Sequence, residues 1–480
     1  MENGLPTMTV LGIILLIFTV SCKSSVEKRQ SPNVIVVLAD DLGYRDLGCY
    51  GGKAKTPNLD KLAKSGLRFT NFYAAAPNCS PSRTGYLTGK LPSIAGMYNY
   101  RPPGHPMHLH DQEITIAEIL KNKGYKTGHF GKWHLSNLTG EQGQPGPLEQ
   151  GFEFYFATEN NAEPSHKNPV NFIKNGKEIG KIDGFSCQIV IEEAMAWLQS
   201  TNVTNNPFFL NISFHEPHKK IASPTQLIQH YPSENPFDAK YFANIENLDS
   251  AFGKLYKYLY DQNLLENTFI VFASDNGSYR NGSNGELRAL KSYVYEGGIR
   301  IPGIISWSKN IQPGVEHTPA GLIDLFPTIS GLTGASGGNT ENLHGKDLTP
   351  LWSDNPFIRK SPLSWFFYRT TPQFSVRIGD YSILGIPNDT IKHSHSFAES
   401  DMKYIQTIQI DSFEAYNLSH DVTQDHPITD FSIPEIQNGI THIKSSLESI
   451  QKNGRYWNGL PKYEDSRRKS KKDWVPYNHH

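Results

Sequence analysis

The chain has 480 residues, a length that allows one large α/β domain together with a smaller second domain. Its 46 Lys and Arg residues stand against 47 Asp and Glu residues, for a formal charge of −1. This balance provides no overall positive field for nucleic acid, so an anionic ligand has to be met by a local pocket.

The N-terminal segment has the pattern of an export signal. Residues 8–20 (MTVLGIILLIFTV) form an apolar stretch that is short for a membrane span. Residues 19–22 (TVSC) resemble a bacterial lipobox, in which Cys22 becomes the lipidated first residue of the mature protein. We therefore predict a signal peptide with a lipobox at 1–22, a linker at 23–31, and a protein exported from the cytoplasm and lipid-anchored to a bacterial membrane, periplasmic or at the cell surface. A plain cleaved signal and an uncleaved anchor are the alternatives.

Strand-like and helix-like segments then alternate. Unbroken apolar runs at 33–39 (NVIVVLA), 208–214 (FFLNISF) and 269–273 (FIVFA) are typical of strands buried on both faces of a sheet. Alternation with helices favours a doubly wound α/β domain, which we assign to residues 32–354. The predicted helices lie at 58–65, 114–122, 190–199 and 241–259.

Each of the three predicted strands is followed by polar residues. Asp40 and Asp41 follow the first, residues 215–218 (HEPH) the second, and Asp275 and Asn276 the third. Because open α/β sheets bind ligands beyond the carboxyl ends of their strands, we expect these side chains to converge on one cleft. The set of carboxylate and amide oxygens favours calcium or magnesium over zinc.

The pattern changes beyond residue 355. Residues 375–384 and 404–410 are β-like, and residues 434–451 have helical spacing. We therefore predict a C-terminal domain of antiparallel sheet plus helix at 355–456. The basic tail at 457–480 is given no catalytic role.

Residues 79–89 (CSPSRTGYLTG) are the most informative about function. They resemble the signature of type I sulfatases, which runs Cys or Ser, any residue, Pro, Ser, Arg, three residues, Leu, Thr, Gly. The resemblance implies an alkaline-phosphatase-like mixed sheet flanked by helices. It also implies that Cys79 is oxidised to formylglycine by a maturation enzyme, and that Arg83 belongs to the catalytic set. In a hydrated formylglycine one hydroxyl attacks sulfur and the second later expels sulfate by re-forming the aldehyde.

A second motif resembles the Gly-Lys-Trp-His sequence of the same family, at residues 128–135 (GHFGKWHL). Lys132 and His134 are two positions apart, so an extended backbone would project both side chains from one side. That arrangement suits Lys132 for a sulfate oxygen and His134 for the formylglycine hydroxyls.

The resemblance extends to two residues farther along the chain. His218 and Lys291 are expected near the leaving oxygen and the sulfate, and the family-like residues 295–302 (YEGGIRIP) follow Lys291. His215 lies outside the general motif, and it either faces a sugar subsite or satisfies a hydrogen bond. The resemblance also implies one Ca²⁺, with Mg²⁺ as the alternative. The implied metal ligands are Asp40, Asp41, Cys79 as formylglycine, Asp275 and Asn276.

Together these features indicate a sulfuric ester hydrolase that acts on a sulfated carbohydrate. A lipid anchor would suit the breakdown of external polysaccharide, which is an argument by analogy. The rival interpretations are a phosphonate or phosphate ester hydrolase of the same fold and a glycan-binding lipoprotein with an inactive site. A disulfide between Cys49 and Cys187, the sugar and the sulfate position stay open at this point.

Overall fold

The computed structural model describes residues 1, 2, 4, 31–140, 143–201, 203, 206–337, 342–353, 355–371, 373–389 and 397–460. The described residues from 31 onward belong to one compact unit, which is separate from residues 1–30. The predicted signal peptide with Cys22, nearly all of the predicted linker, and residues 461–480 of the predicted tail lie outside the described residues. In the part that is described, no helix combines the length and the apolar character needed to cross a membrane.

The first part of the larger unit is an alternation of strands and helices. In chain order these are β1 (Asn33–Asp40), α1 (Pro57–Lys64), β2 (Leu67–Tyr73), α2 (Cys79–Thr88), α3 (Ile116–Asn122), β3 (Lys126–Lys132), β4 (Phe154–Thr158), β5 (Phe172–Lys174), β6 (Lys177–Gly180), α4 (Ser186–Ser200), β7 (Phe208–Pro217), α5 (Thr225–Ile228), α6 (Pro236–Asp261), β8 (Thr268–Ser274), α7 (Glu296–Ile299), β9 (Arg300–Ser306), β10 (Gly314–Glu316), β11 (Ala320–Gly321) and α8 (Leu325–Thr333). All three predicted strands and all four predicted helices in this part are confirmed, with bounds that differ by a few residues.

One large mixed sheet lies at the centre, in the order β10-β2-β9-β8-β1-β7-β3-β4-β5-β6, with β11 beside β2. β8, β1, β7, β3 and β4 run parallel, whereas β9 and β5 run antiparallel to their neighbours. The predicted α/β class with a mixed sheet flanked by helices is confirmed.

The buried strand β1 shows why this sheet has helices on both faces. Every residue of β1 is buried, and successive side chains point to opposite faces. Val34 and Val36 pack in one hydrophobic cluster, which includes residues of α2, α3 and α8. Ile35 and Val37 pack in another, which includes residues of α1, α4 and α6. A continuous apolar run therefore suits a strand whose two faces are both covered by helices.

The C-terminal part is a smaller antiparallel sheet with a long helix. Its elements are β12 (Leu363–Phe366), β13 (Phe374–Ile378), β14 (Tyr381–Pro387), α9 (Glu399–Thr407), β15 (Ile410–Asn417) and α10 (Pro434–Asn453). The strands are ordered β12-β13-β14-β15, and α10 matches the predicted helix at 434–451. Residues 375–384 are a hairpin rather than one strand, because Gly379 adopts a left-handed φ of 54° at the turn.

The predicted strand at 404–410 is wrong, since α9 occupies most of it. Met402 and Ile405 are buried three residues apart, which is helical spacing. The helix also begins with a favourable contact, because the Asp401 carboxylate accepts a hydrogen bond from the Ala398 amide at 2.8 Å. The apparent alternation in the sequence comes from the end of a helix running directly into β15.

Cys49 and Cys187 are both free, so the optional disulfide between them is absent in the structure.

Candidate active site

Four polar residues meet at the carboxyl edge of the sheet, as predicted. β1 and β8 are parallel neighbours with Ala39 opposite Ser274, so the residues that follow these positions come together. Asp40, Asp41, Asp275 and Asn276 are all fully buried there. The Asp41 amide donates to the Asp275 Oδ1 atom at 3.1 Å. Asp41 adopts a left-handed φ of 64°, a strained conformation that turns the chain at this edge.

The oxygen atoms of this cluster suit a hard divalent cation. The Asp40 Oδ1, Asp41 Oδ2 and Asn276 Oδ1 atoms are buried and have no hydrogen-bond partner among the described residues. One ligand atom each from Asp40, Cys79 and Asp275 lies within 4.8 Å of the others. Buried oxygens without partners are costly, and coordination of Ca²⁺ or Mg²⁺ would satisfy them. The residues therefore fit the predicted metal.

Two lysines balance the carboxylates. The Lys132 Nζ atom lies 2.6 Å from the Asp40 Oδ2 atom, and the Lys291 Nζ atom lies 2.5 Å from the Asp41 Oδ1 atom. Burial would raise the pKa of Asp40, but the positive charges, Lys132 first, outweigh it and hold that pKa well below its usual value. Burial would lower the pKa of Lys291, but the Asp41 carboxylate outweighs it and raises the pKa, so the amine stays charged.

Cys79 is the first residue of α2, and the Asn78 side chain caps the helix by accepting a hydrogen bond from the Cys79 amide at 3.0 Å. The thiol is buried, with its Sγ atom 4.0 Å from the Lys291 Nζ atom. Burial raises the pKa of Cys79 even though Lys132 and Lys291 oppose the rise. An unmodified Cys79 is therefore a poor thiolate nucleophile at neutral pH.

Arg83 lies one turn after Cys79 on α2, which puts both side chains on the same face of the helix. Its Nε and Nη2 atoms donate to the Asp275 Oδ2 atom at 3.0 and 2.8 Å, and its Nη1 atom donates to the Lys132 carbonyl oxygen at 3.1 Å. Burial and the charge of Asp40 raise the pKa of Asp275 to about 6, against the lowering effect of Arg83. Arg83 thus ties the helix that carries Cys79 to the ends of β8 and β3.

His134 follows β3, but the backbone there is not extended. Its φ of 60° is left-handed, so the expectation that an extended segment carries Lys132 and His134 on one side is wrong. The His134 Nε2 atom lies 2.9 Å from the Arg101 carbonyl oxygen, which can only accept, so Nε2 carries the proton. Nδ1 is then an acceptor without a partner in the described structure. Burial lowers the pKa of His134 well below its usual value, so the ring is neutral.

His218 lies just beyond β7 and is partly exposed, with its Nε2 atom 3.4 Å from the Asp41 Oδ2 atom. Its Nδ1 atom is 2.6 Å from the Lys219 carbonyl oxygen and donates to it. Burial lowers the pKa of His218 to about 4, although Asp41 and Asp40 oppose the effect. His218 therefore joins the predicted cluster at its open side.

His215 is fully buried in β7, where its Nε2 atom lies 2.7 Å from the Thr158 hydroxyl. This contact corresponds to the hydrogen-bonding alternative for His215, since the side chain has no exposed surface to offer a sugar.

Sequence reasoning did not single out Tyr100 and Arg369, which both interact electrostatically with Cys79, or Tyr293, which interacts with Arg369. Burial lowers the pKa of Arg369, while Tyr293, Tyr100 and Cys79 oppose this, so its guanidinium lies within electrostatic reach of Cys79. The next residue, Thr370, donates a hydrogen bond from its hydroxyl to the Ser292 carbonyl oxygen at 2.6 Å, which fixes the loop between β12 and β13 that carries Arg369. Arg369 comes from the C-terminal part, so no local pattern around residue 79 could have revealed it.

Comparison with known proteins agrees with this geometry. The family model described as Sulfatase matches residues 32–335. Arylsulfatase A of Homo sapiens is 36% identical over 387 residues, covering 73% of this chain and 74% of the relative. N-acetylgalactosamine-6-sulfatase of Canis lupus familiaris is 30% identical over 406 residues, covering 77% and 74%. The solved structure of Ps i-CgsB in complex with k-i-k-neocarrahexaose superposes with a TM-score of 0.76 at 24% identity, covering 90% of this chain and 96% of that one.

Proposed function

The chain belongs to the sulfatase family, and from this premise we propose that it removes sulfate from a sulfated carbohydrate by means of a formylglycine made from Cys79 and one Ca²⁺ ion. One observation carries the proposal. Cys79 shares a buried cluster with Asp40 and Asp275, and the ammonium group of Lys291 lies 4.0 Å from its sulfur. This combination of a modifiable side chain, oxygen ligands and fixed positive charge suits attack on an anionic ester.

The metal would be held by oxygens that otherwise lack partners. Asp40, Asp41, Asp275 and Asn276 offer carboxylate and amide oxygens, a set that suits Ca²⁺ better than zinc. When bound, the ion would act as a Lewis acid that neutralises charge on the sulfate oxygens. Arg83 would position Asp275, because it donates two hydrogen bonds to the Oδ2 atom of that carboxylate. The other oxygen, Oδ1, then points toward Asp41 and accepts a hydrogen bond from its amide.

A modified Cys79 fits this environment better than a thiol. Burial raises the pKa of the thiol, so little thiolate would be present at neutral pH. A hydrated formylglycine supplies two hydroxyls on one carbon, of which one serves as nucleophile and the other later expels the sulfate. Proximity to Lys291 favours any negative charge that develops on the attacking oxygen.

The remaining residues would manage protons and charge. His134 is neutral with an unprotonated Nδ1 atom, so we assign it as the base that accepts a proton from the formylglycine hydroxyls. The ammonium groups of Lys132 and Lys291 would stabilise the negative charge on the sulfate oxygens. His218, on the open side of the cluster, is assigned as the acid that protonates the departing sugar oxygen, with Lys291 as its assistant.

A carbohydrate substrate is supported by the relatives and by the residue types that interact with Cys79. One relative is named for an N-acetylgalactosamine 6-sulfate substrate, and one similar structure contains a neocarrahexaose. In this chain Arg369 interacts electrostatically with Tyr100, Tyr293 and Cys79, and Tyr100, Tyr293 and Arg369 are all partly exposed. Aromatic faces and a guanidinium are suited to a sugar ring that bears anionic groups.

We also propose that the protein is exported and anchored through lipid on Cys22, because residues 1–22 have the lipobox pattern. The proposed partners are the membrane and a formylglycine-generating enzyme.

The proposal is tested by mass spectrometry and turnover on the same preparation. The peptide containing position 79 should carry the aldehyde or its hydrate, and turnover of nitrophenyl sulfate should exceed that of nitrophenyl phosphate. A panel of defined sulfated oligosaccharides then identifies the sugar. Cys79→Ala is the matched inactive control. Full activity with an unmodified thiol at position 79 would refute the mechanism, and a preference for nitrophenyl phosphate would favour the phosphate ester hydrolase.

A further inference from the structure

A second concave site, which we call the arginine pocket, lies outside the cluster around Cys79. Its cavity volume is about 290 Å³, and its lining includes Arg45, Arg68 and Arg300 together with Tyr44, Tyr50 and Glu286. None of these residues has a role in the proposed mechanism. The pocket therefore calls for its own explanation.

Two of the arginines are held in place by tyrosine rings. The Arg68 guanidinium lies 5.3 Å from the centre of the Tyr50 ring, and the Arg300 guanidinium lies 5.0 Å from the centre of the Tyr44 ring. The two rings meet edge to face with their centres 5.2 Å apart. This arrangement fixes both cations before any ligand arrives, which lowers the entropy lost on binding.

The tyrosines are themselves fixed by the backbone. The Tyr50 hydroxyl lies 2.7 Å from the Gly303 carbonyl oxygen and accepts a hydrogen bond from the Gly303 amide at 2.9 Å. The Tyr44 hydroxyl donates to the Thr70 carbonyl oxygen at 3.0 Å, and the Arg300 Nε atom donates to the same oxygen at 2.8 Å. The pocket is thus built on β2 and β9 rather than on a mobile surface.

The pocket carries an excess of positive charge in a chain whose formal charge is −1. Arg300 is partly balanced by Glu296, at 3.4 Å. Within the described residues, Arg45 and Arg68 form no ion pair with a carboxylate. Glu286 is the acidic residue of the lining, so three guanidinium groups stand against two carboxylates, those of Glu286 and Glu296. Such a surface attracts anions.

Two parts of the pocket lining adjoin the loops that build the metal cluster. Tyr44 comes three residues after Asp41, so its Cα atom lies within about 11 Å of that of Asp41. Glu286 lies in the segment between Asn276 and Lys291. The Tyr44 side of the pocket therefore lies within the length of a few sugar units from the metal cluster.

We propose that the arginine pocket binds a sulfate group on a sugar remote from the one being hydrolysed. The planar guanidinium groups offer paired N–H donors that match the oxygen geometry of sulfate, and they remain charged at all working pH values. The identity of the ligand as a glycan rests on the proposed function, whereas the affinity of the pocket for an oxyanion does not. Free sulfate has the same chemistry, so the experiment has to separate the two sources.

Binding is measured by calorimetry on the full-length Cys79→Ala protein, which cannot turn over its ligand. The probes are inorganic sulfate and a hexasaccharide with a sulfate on each sugar. The pocket variant adds Arg45→Gln and Arg68→Gln, and Arg45→Gln alone serves as a second variant because that side chain is exposed and forms no ion pair with a carboxylate of the described residues. Lys121→Gln removes an exposed cation outside the pocket and is the matched control.

The hexasaccharide should bind the pocket variant about tenfold more weakly, because charge-assisted hydrogen bonds are lost, while Lys121→Gln binds like the parent. The sulfate stoichiometry should fall from two per chain to one. With Cys79 restored, the pocket variant should turn over nitrophenyl sulfate at the wild-type rate, which separates failure of the pocket from failure of the proposed function. Weaker sulfate binding with unchanged hexasaccharide binding would overturn the glycan assignment and leave a site for free sulfate. Unchanged binding of both probes would overturn the proposal.

Discussion

Replacing His218 with alanine should slow desulfation of a sugar far more than desulfation of nitrophenol. A sugar alkoxide is a poor leaving group and needs a proton in the transition state, whereas nitrophenolate leaves without one. The His218 ring is on the open side of the cluster, with its Nε2 atom 3.4 Å from Asp41 and its Nδ1 atom engaged by the Lys219 carbonyl oxygen. Nε2 is therefore the atom from which a proton would be delivered.

The size of the effect depends on pH. General acids typically contribute about a hundredfold to ten-thousandfold. With the pKa of His218 lowered to about 4, about a tenth of the protein carries the acid at pH 5 and about a thousandth at pH 7. The advantage of wild type over His218→Ala on a sugar sulfate should therefore shrink about tenfold for each pH unit above 5. The raised pKa of Lys291 keeps that group charged throughout, so its assistance should not change over this range.

The assay compares kcat/KM for one sulfated sugar and for nitrophenyl sulfate, at pH 5, 6 and 7, in wild type and variants. His134→Ala should slow both substrates alike, because a base that acts on the formylglycine hydroxyls is needed whatever the leaving group. His426→Ala, at an exposed position, is the matched histidine control. Equal losses on the two substrates in His218→Ala, or a loss that does not vary with pH, would refute the assignment and make Lys291 the next candidate for the acid.

Three further outcomes are expected. Asp275→Ala should lose the bound metal, measured by elemental analysis, and nearly all turnover of nitrophenyl sulfate; stoichiometric zinc in the native protein would contradict the calcium site. Arg83→Ala leaves the Asp275 carboxylate buried without its cation, so it should destabilise the fold by about 3–5 kcal/mol in thermal unfolding, and a wild-type melting temperature would count against the pairing. Burial raises the pKa of Asp249 to about 6, so the native protein holds this proton after the unfolded chain has released it, and stability falls as pH rises. Relative to Asp249→Asn, the free energy of unfolding of wild type should fall by about 1.4 kcal/mol per pH unit between about pH 4 and 6. If the stabilities of the two proteins change with pH in parallel across that range, the raised pKa of Asp249 is contradicted.

Local sequence was enough to identify the family. Residues 79–89 carried the sulfatase signature on their own, and the family assignment is confirmed by the matching family model and the relatives. The continuous apolar runs predicted strands covered on both faces, because a strand needs apolar side chains on each face that it buries. The polar residues after β1 and β8 then had to meet, since neighbouring parallel strands end at the same edge.

Features that depend on distant parts of the chain were decided by the tertiary structure. The left-handed backbone at His134 and the pairing of its Nε2 atom with the Arg101 carbonyl oxygen follow from packing between loops, which leaves no local pattern. Arg369 approaches Cys79 from a separate sheet, nearly 300 residues along the chain. The arginine pocket likewise joins side chains from several segments that adjoin only after folding. Sequence spacing records neighbours along a helix or strand, whereas the positions of charges in a pocket depend on how those elements pack, and packing is a property of the whole fold.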